Sequence, residues 1–143
     1  MIIVADSWIW VEYFRGTKYG ALLNRFLSSE EVVTPNIVLL EIASKYVREG
    51  RSQEEIELRL RFIVSKSTIA EFDYELAVDA AKCLLELRSH AKKLGIKKKP
   101  GIADGLILAT ARKLNAKILS GDEHFRGLPE TIYAKDYYAK KTF

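Results

Sequence analysis

Short apolar runs alternate along the chain with longer stretches in which apolar residues recur at helical spacing. The short runs are rich in β-branched residues and predict five strands, at 2–5, 31–34, 67–71, 117–120 and 131–134. The longer stretches predict helices at 8–14, 19–27, 35–50, 73–93 and 102–115, and a further helix that begins at 52. Strands that alternate with helices are typical of a parallel sheet with helices on both faces, so we expect an α/β fold.

Residues at the expected helix ends support these boundaries. Ser7 and Asp73 precede helical stretches, and their side chains can accept a hydrogen bond from a free backbone N–H of the first turn. Ser52 and Glu55 have the spacing of a capping box. Pro35 is expected at the first position of the third helix, where a missing N–H is tolerated. Together these residues define the expected starts of four helices.

Length and composition indicate one domain. The chain has 143 residues without an internal repeat, a low-complexity segment or a Gly/Ser linker, so we expect a single domain over 1–143. Its only cysteine, Cys83, excludes an internal disulfide and a cysteine-based zinc site, and its apolar neighbours predict a buried thiol. The first apolar run ends at Asp6 and is too short for a signal peptide or a membrane span, so we expect a soluble, cytoplasmic protein.

The positive charge of the chain is concentrated in one block. There are 23 Lys and Arg against 19 Asp and Glu, a formal net charge of +4. Six cations lie in a stretch without an acid: Arg88, Lys92, Lys93, Lys97, Lys98 and Lys99. This basic block could bind nucleic-acid phosphates, or it could be the solvated end of a helix, and the sequence leaves both interpretations open.

Four acidic residues stand where an α/β fold would gather them. Asp6 and Asp122 follow the first and fourth predicted strands, and ligands of such sheets bind beyond the carboxyl ends of the strands. Asp104 shares a helix face with apolar residues, and Glu41 lies in an apolar helical stretch. Each alone could be a helix-terminal, surface or turn residue. Converging carboxylates, however, repel one another, and a hard divalent cation such as Mg²⁺ or Mn²⁺ usually neutralises them.

The acids lie in segments that together resemble a PIN domain. These segments are IVADS at 3–7, LLEI at 39–42, IADGLILATA at 102–111 and LSGDEHF at 119–125. They occur in the family's order along the whole chain, and they are most similar to the VapC-type toxins of bacterial and archaeal toxin–antitoxin pairs. The resemblance implies a three-layer fold around a parallel sheet of strand order 3-2-1-4-5. That order would set the ends of the first and fourth strands side by side.

The resemblance also implies an activity and a site. The activity would be Mg²⁺- or Mn²⁺-dependent hydrolysis of RNA phosphodiesters by an endoribonuclease, leaving 5′-phosphate and 3′-hydroxyl ends. The matching positions are Asp6, Glu41, Asp104 and Asp122 as catalytic and metal-binding acids, with Ser7 and Ser120 as supporting hydroxyls. Glu123 is a further acid of lower priority. No side-chain nucleophile is required, and both histidines are assigned outside the site: His124 as a surface or packing residue, and His90 as solvated.

The implied partners are an RNA substrate, an antitoxin protein and a second copy of the chain, in a homodimer or a higher even-numbered assembly. No association with a membrane is expected. Within the basic block, Lys97, Lys98 and Lys99 are candidates for RNA binding because they immediately precede the helix of Asp104. The first helix is apolar nearly all round, so we expect it in the protein's own core, or alternatively in a groove that receives a helical tail of the antitoxin.

Other families fit the sequence less well. A phosphatase of the haloacid-dehalogenase type needs a second acid two residues after the first, where Trp8 stands. A receiver domain needs adjacent acids near that position, and Asp6 has no acidic neighbour. No glycine-rich dinucleotide or phosphate loop is present. A housekeeping PIN-domain nuclease without an antitoxin stays open, whereas the complete acidic set disfavours an inactive binding module.

Overall fold

The structure is a computed structural model that describes residues 1–139. Its strands lie within one residue of their predicted bounds: β1 Ile2–Ala5, β2 Glu31–Pro35, β3 Thr68–Ala70, β4 Lys117–Ser120 and β5 Thr131–Tyr133. The helices of this part of the chain are α1 Ser7–Arg15, α2 Lys18–Ser29, α3 Asn36–Arg48, α4 Gln53–Lys66, α5 Tyr74–Leu94, α6 Ile102–Lys113 and α7 Ala134–Ala139. The predicted alternation is confirmed, while α7 and a short 3₁₀ turn at Glu123–Phe125 were not predicted.

All five strands run parallel in one sheet of order β3-β2-β1-β4-β5, which confirms the predicted α/β fold and strand order. β1 lies at the centre, where Val4 pairs with Val33 on one side and with Ile118 on the other. These three side chains are buried because helices flank the sheet, as the continuous apolar runs predict. The order places the carboxyl ends of β1 and β4 next to each other.

The apolar helix α1 is buried on its inner face in the protein's own core. Ile9 and Trp10 are fully buried, and the indole N–H of Trp10 donates a hydrogen bond of 3.0 Å to the Thr34 hydroxyl on β2. The rings of Phe14 and Phe62 pack around Trp10, with centroids 6.0 and 6.4 Å from it. Burial in the core, the first of the two interpretations of this helix, is therefore confirmed for that face.

Two helix starts differ from the sequence prediction. Asp6, not Ser7, caps α1, since its Oδ1 accepts a hydrogen bond of 3.0 Å from the N–H of Ile9. Pro35 is the last residue of β2 and the N-cap of α3, not its first helical residue, because it still pairs with Ala70 of β3. Asp6 thus has a structural role at the helix start in addition to any chemical one.

The predicted starts of α4 and α5 are confirmed. The Ser52 hydroxyl accepts a hydrogen bond of 3.2 Å from the N–H of Glu55, and Asp73 Oδ1 accepts one of 2.9 Å from the N–H of Leu76. Cys83 on α5 is buried, as its neighbours predict. Among the helices within residues 1–139, none is long and apolar enough to cross a membrane.

A close contact between α5 and α6 fixes the helix that carries Asp104. A Cβ at Gly105 would lie 2.5 Å from the carbonyl oxygen of Ala80 on α5, so only glycine permits this approach. α6 also packs against β1, β2 and β4. The first turn of α6, and with it Asp104, is therefore held in a defined position relative to the sheet.

Candidate functional site

Asp6 and Asp122 stand at the carboxyl ends of β1 and β4, and Ser120 connects them. Asp6 is 2% exposed, and its Oδ2 accepts a hydrogen bond of 2.5 Å from the Ser120 hydroxyl. The same hydroxyl oxygen accepts a hydrogen bond of 2.9 Å from the backbone N–H of Asp122. Although Asp6 and Ser120 are 114 residues apart in sequence, β1 and β4 are neighbours in the sheet and bring them together.

Asp104 reaches the same place from the first turn of α6. Its Oδ2 accepts a hydrogen bond of 2.9 Å from the backbone N–H of Gly101, so the carboxylate also stabilises the start of its helix. Carboxylate oxygens of Asp104 and Asp122 and a ring nitrogen of His124 all lie within 4.8 Å of one another. The helix-terminal role of Asp104 is therefore compatible with its membership of the acidic cluster.

Glu41 joins this cluster from α3. Its carboxylate is close enough to Asp104 and Asp122 for their charges to raise its pKa, while a hydrogen bond from the Ser7 side chain acts in the opposite direction. Glu41 Oε1 is buried and has no hydrogen-bond partner within the part of the chain that the structure describes. Glu123, the lower-priority acid, is exposed. All four predicted acids and both predicted hydroxyls thus lie together at one end of the sheet.

Burial raises the proton affinity of the cluster. It raises the pKa of Asp6 to about 8, although the hydrogen bonds from Ser120 and Ile9 oppose this shift. Burial also raises the pKa of Glu41 to about 7, and the charge of Asp104 adds to that shift. The pKa of Asp104 is raised too, chiefly by its burial. Ionising the whole cluster at neutral pH is therefore costly unless positive charge is brought to it.

The donor set fits a hard divalent cation such as Mg²⁺ or Mn²⁺. Four carboxylates offer oxygen atoms, the ligands that these ions prefer. A bound cation would provide the missing partner of Glu41 Oε1 and would offset the mutual repulsion of the acids. The residues that would hold the ion are Asp6, Glu41, Asp104 and Asp122.

A groove of about 360 Å³ adjoins the cluster between α1 and α3. Its lining includes the acids Glu41 and Asp122 together with three cations, Arg15, Lys45 and Arg48. The sequence pattern did not reveal these cations, because they come from two helices and are not clustered along the chain. A polyanion in this groove would contact positive side chains and the acidic cluster at once.

Trp8 forms a wall of this groove beside Asp122. A Cβ at Gly121 would collide with the Trp8 ring, so the residue between Ser120 and Asp122 has to be glycine for the ring to lie there. The Trp8 ring also contacts that of Tyr19, with centroids 5.5 Å apart. The outer face of α1 therefore belongs to the groove, while its inner face belongs to the core.

Part of the basic block lies at the edge of the cluster. Lys97, Lys98 and Lys99 are exposed in the loop between α5 and α6. The backbone carbonyl of Lys98 accepts a hydrogen bond of 2.8 Å from His124 Nε2. The charge of Lys98 also partly counters the rise in the pKa of Asp104 that burial causes. This position favours the phosphate-binding interpretation for the end of the block nearest α6.

His124 belongs to the cluster, although the sequence pattern predicts it outside the site. It is 4% exposed, and its Nδ1 lies 3.3 Å from Asp122 Oδ1 and 3.5 Å from Asp104 Oδ2. The signal that could have revealed it is its position two residues after Asp122, in a tight turn that directs the ring back to the cluster. His90, expected to be solvated, is half-buried, and its Nε2 lies 2.6 Å from the Arg126 carbonyl oxygen.

Solved structures with the same fold include a VapBC structure, a toxin–antitoxin complex and a VapC toxin. VapBC2 from Rickettsia felis, bound to a DNA fragment from its promoter, has 22% identity and a TM-score of 0.65, over 92% of this chain and 96% of that chain. A toxin–antitoxin complex from Klebsiella pneumoniae has 19% identity and a TM-score of 0.65, over 92% of this chain and 97% of that chain. VapC20 from Mycobacterium tuberculosis, described as a Sarcin-Ricin loop cleaving toxin, has 19% identity and a TM-score of 0.63, over 90% of this chain and 97% of that chain.

At these identities the solved structures establish the fold alone, and no curated protein sequence matches the chain. The family assignment comes from a different comparison. The family model described as PIN domain matches residues 3–130, a range that includes every member of the acidic cluster. The sheet order and the position of the acids agree with that match. By sequence and by fold, the chain belongs to the PIN domain family.

Proposed function

We propose that this protein is an endoribonuclease that depends on Mg²⁺ or Mn²⁺. The observation that carries the proposal is the convergence of Asp6, Glu41, Asp104 and Asp122 at the end of the sheet. Burial raises the pKa values of the first three, and Glu41 has a buried carboxylate oxygen without a hydrogen-bond partner among the described residues. Membership of the PIN domain family and similarity to an RNA-cleaving toxin of M. tuberculosis support it. We further propose that the nuclease domain spans residues 1–143.

The proposed reaction is hydrolysis of an RNA phosphodiester, in which water adds to phosphorus and a 3′-oxygen leaves. A divalent cation, when bound, lowers the pKa of water and offsets charge that develops on the phosphate. The residues of the chain hold in place the carboxylates that would bind this cation. The Ser120 hydroxyl orients Asp6 by donating a hydrogen bond to its carboxylate, and it orients Asp122 by accepting one from that residue's backbone N–H. The Ser7 side chain orients Glu41 by a hydrogen bond to its carboxylate. No histidine, serine or cysteine needs to act as a nucleophile.

RNA would approach along two basic surfaces that adjoin the acids. One is the groove with Arg15 and Arg48, and the other is the loop with Lys97, Lys98 and Lys99. Without cations the acids would repel phosphates, so these surfaces supply the attraction that brings the backbone to the site. Trp8 offers a ring in the groove on which a splayed base can stack.

We propose that the chain is the toxin of a VapBC-type pair and that an antitoxin protein controls it. The structures from K. pneumoniae and R. felis, both toxin–antitoxin assemblies, support this choice. An antitoxin segment in the groove between α1 and α3 would exclude RNA from it. The alternative, a housekeeping nuclease, predicts no such partner. Growth arrest on expression of the chain alone, relieved by an adjacent small reading frame, would favour the toxin, and normal growth would favour the alternative.

We also propose that two copies of the chain associate through the apolar face of α5 and α6. An apolar groove of about 360 Å³ lies there, lined by Ile37, Phe72, Ala77, Ala80, Ala81, Leu84, Ile102 and Leu106. Tyr74, Val78 and Leu85 are exposed at helical spacing on α5. An apolar face is complementary to itself, which is what a two-fold contact between identical chains requires.

A nuclease assay with defined metal content tests the proposed activity. Purified protein is incubated with a generic RNA in Mg²⁺, in Mn²⁺ and in chelator, and the 5′ and 3′ ends of any products are identified. Asp104→Asn should reduce cleavage by more than about 100-fold without loss of fold, because it removes an acid from the cluster. Asp79→Asn, an exposed acid on α5, is the matched control and should cleave normally. Cleavage in chelator, or full activity of Asp104→Asn, would contradict the proposal.

A further inference from the structure

We propose that His124 is a metal ligand, binding the cation through Nδ1 beside Asp104 and Asp122, and that this nitrogen makes the site prefer Mn²⁺ to Mg²⁺. The proposal rests on the proposed function only in requiring a cation at the acidic cluster. It adds a nitrogen ligand to the four carboxylates, and it predicts which ion the chain selects.

The geometry points to Nδ1 as a ligand. It lies 3.3 Å from Asp122 Oδ1 and 3.5 Å from Asp104 Oδ2. Neighbouring ligands of an octahedral ion with bonds of about 2.1 Å lie about 3 Å apart, so these separations need only small adjustments. Nδ1 is therefore spaced from each of the two carboxylates as a neighbouring ligand of one ion would be, and the two carboxylates lie within 4.8 Å of each other.

His124 Nδ1 also lacks a hydrogen bond within the described residues, although it lies within ion-pair distance of two carboxylates. The side chain is 4% exposed, and Nδ1 itself is a buried atom. Buried polar atoms are nearly always paired in folded proteins. A buried nitrogen that faces two carboxylates without a hydrogen bond to either is accounted for if a cation lies between them.

The opposite side of the ring fixes its orientation. Nε2 lies 2.8 Å from the backbone carbonyl oxygen of Lys98, and a carbonyl can only accept, so Nε2 carries the hydrogen of this bond. Nδ1 is then the ring atom left to bind a cation. A backbone carbonyl behind the distal N–H is the arrangement that orients many metal-binding histidines. The backbone N–H of His124 also bonds Asp122 Oδ1, at 2.9 Å, so the two prospective ligands hold each other in place.

The nitrogen determines which ion is favoured. Mg²⁺ prefers oxygen ligands throughout and gives up its water reluctantly. Mn²⁺ accepts imidazole nitrogen more readily while it still binds carboxylates. Replacing one oxygen of the shell by the His124 nitrogen should therefore cost Mg²⁺ affinity relative to Mn²⁺. The preference belongs to this residue, because the acids alone serve both ions.

Electron spin resonance on Mn²⁺ tests the ligand directly. The full chain, freed of metal and given one equivalent of Mn²⁺, is prepared with and without ¹⁵N-labelled histidine. If His124 binds the ion, pulsed spectra show nitrogen coupling that changes with the label. His90→Gln, which alters the chain's other histidine, should leave the coupling unchanged, whereas His124→Gln should abolish it.

Calorimetric titration with Mn²⁺ and Mg²⁺ measures the selectivity. We expect His124→Gln to weaken Mn²⁺ binding by about tenfold or more and to change Mg²⁺ binding less, which lowers the affinity ratio. Circular dichroism and thermal melting establish that the variant is folded. If His124 instead acts as a cation that balances the acids, the variant will bind Mn²⁺ as tightly as wild type or more tightly, and the proposal is wrong.

The outcomes separate this inference from the nuclease proposal. RNA cleavage without nitrogen coupling to bound Mn²⁺ overturns the ligand and leaves the nuclease standing. Nitrogen coupling without RNA cleavage supports the ligand and overturns the nuclease proposal. Failure of the wild-type chain to bind Mn²⁺ at millimolar concentration overturns the inference as well, since no ion would then be held at Asp104 and Asp122.

Discussion

The Ser120 hydroxyl donates a hydrogen bond of 2.5 Å to the carboxylate of Asp6, which lies at the end of the neighbouring strand. The same oxygen accepts the backbone N–H of Asp122, so one small side chain on β4 organises two acids of the cluster. Both Ser120 and Asp6 are buried, so solvent cannot replace this contact. Ser120 is therefore a positioning residue for the proposed site.

Ser120→Ala should lower metal affinity and RNA cleavage together, by about 10- to 100-fold, which is the usual effect of removing a residue that orients a metal ligand. Asp6 would lose its donor, and the backbone N–H of Asp122 would lose its acceptor. Mn²⁺ titration and initial cleavage rates measure the effect. Ser120→Thr keeps the hydroxyl and should restore most of both quantities. Wild-type affinity in Ser120→Ala would mean that the hydroxyl does not position the acids.

The stability of the metal-free protein should fall as pH rises, because of Asp6. Its pKa is about 8 in the folded protein and near the ordinary 3.8 when unfolded. Between these values the folded state retains a proton that the unfolded state has released. The contribution of Asp6 to stability is therefore complete below about pH 4 and is lost as pH rises towards 8. The decrease is at most about 1.4 kcal/mol per pH unit for one such group.

Asp6→Asn tests this dependence, because an amide keeps the shape of the carboxyl group and cannot ionise. In chelator at pH 8 the variant should have a higher free energy of unfolding than wild type, by an amount on the order of a few kcal/mol, and the difference should shrink at pH 5. Urea unfolding at the two pH values measures it. Asp79→Asn should change neither value by a comparable amount. Equal stability of Asp6→Asn and wild type at pH 8 would contradict the raised pKa of Asp6.

The fold was largely predictable because its signals are local. Each strand is a short apolar run, and each acid of the cluster follows a strand within two residues or lies in an apolar helical stretch. The prediction for Asp104 left two roles open, and the structure combines its helix-terminal position with its place in the cluster. An acid in the first turn of a helix looks the same in the sequence whether it only stabilises the helix start or also joins a cluster of acids. The sequence alone therefore could not distinguish these two roles.

The features that were missed depend on interactions between distant segments. His124 enters the cluster because its ring bonds the carbonyl of Lys98, 26 residues earlier, and a sequence pattern does not reveal that hydrogen bond. Arg15 and Arg48 share a groove only because α1 packs against α3. Pro35 was misplaced for a similar reason, since its pairing with β3 keeps it in the sheet.

Removing basic side chains should weaken RNA binding in a salt-dependent way. In an Asp104→Asn background, which prevents turnover, Arg48→Ala and a triple variant with alanine at Lys97, Lys98 and Lys99 should each bind single-stranded RNA less tightly than their parent. Each removed cation that binds a phosphate should flatten the slope of log affinity against log salt by about 0.7. Fluorescence anisotropy at several salt concentrations measures both the affinity and the slope.

The control for this experiment is Arg61→Ala, an exposed cation on α4, which should bind RNA with the affinity and salt slope of the parent. An unchanged slope for the triple variant would favour the other interpretation of the basic block, the solvated end of a helix. An unchanged slope for Arg48→Ala would exclude the groove from the RNA path.

Charges on the apolar face of α5 should dissociate the proposed homodimer. Leu85 is 67% exposed and lies on the same side of the helix as Val78, so lysine at either position is tolerated by a monomer but places unpaired charge in a two-fold contact. Light scattering after size exclusion should give an even-numbered mass for wild type and a monomer mass for Val78→Lys/Leu85→Lys. Val64→Lys, on α4 and 52% exposed, should retain the wild-type mass. A monomeric wild type would contradict self-association, and an assembled double variant would exclude this face as the interface.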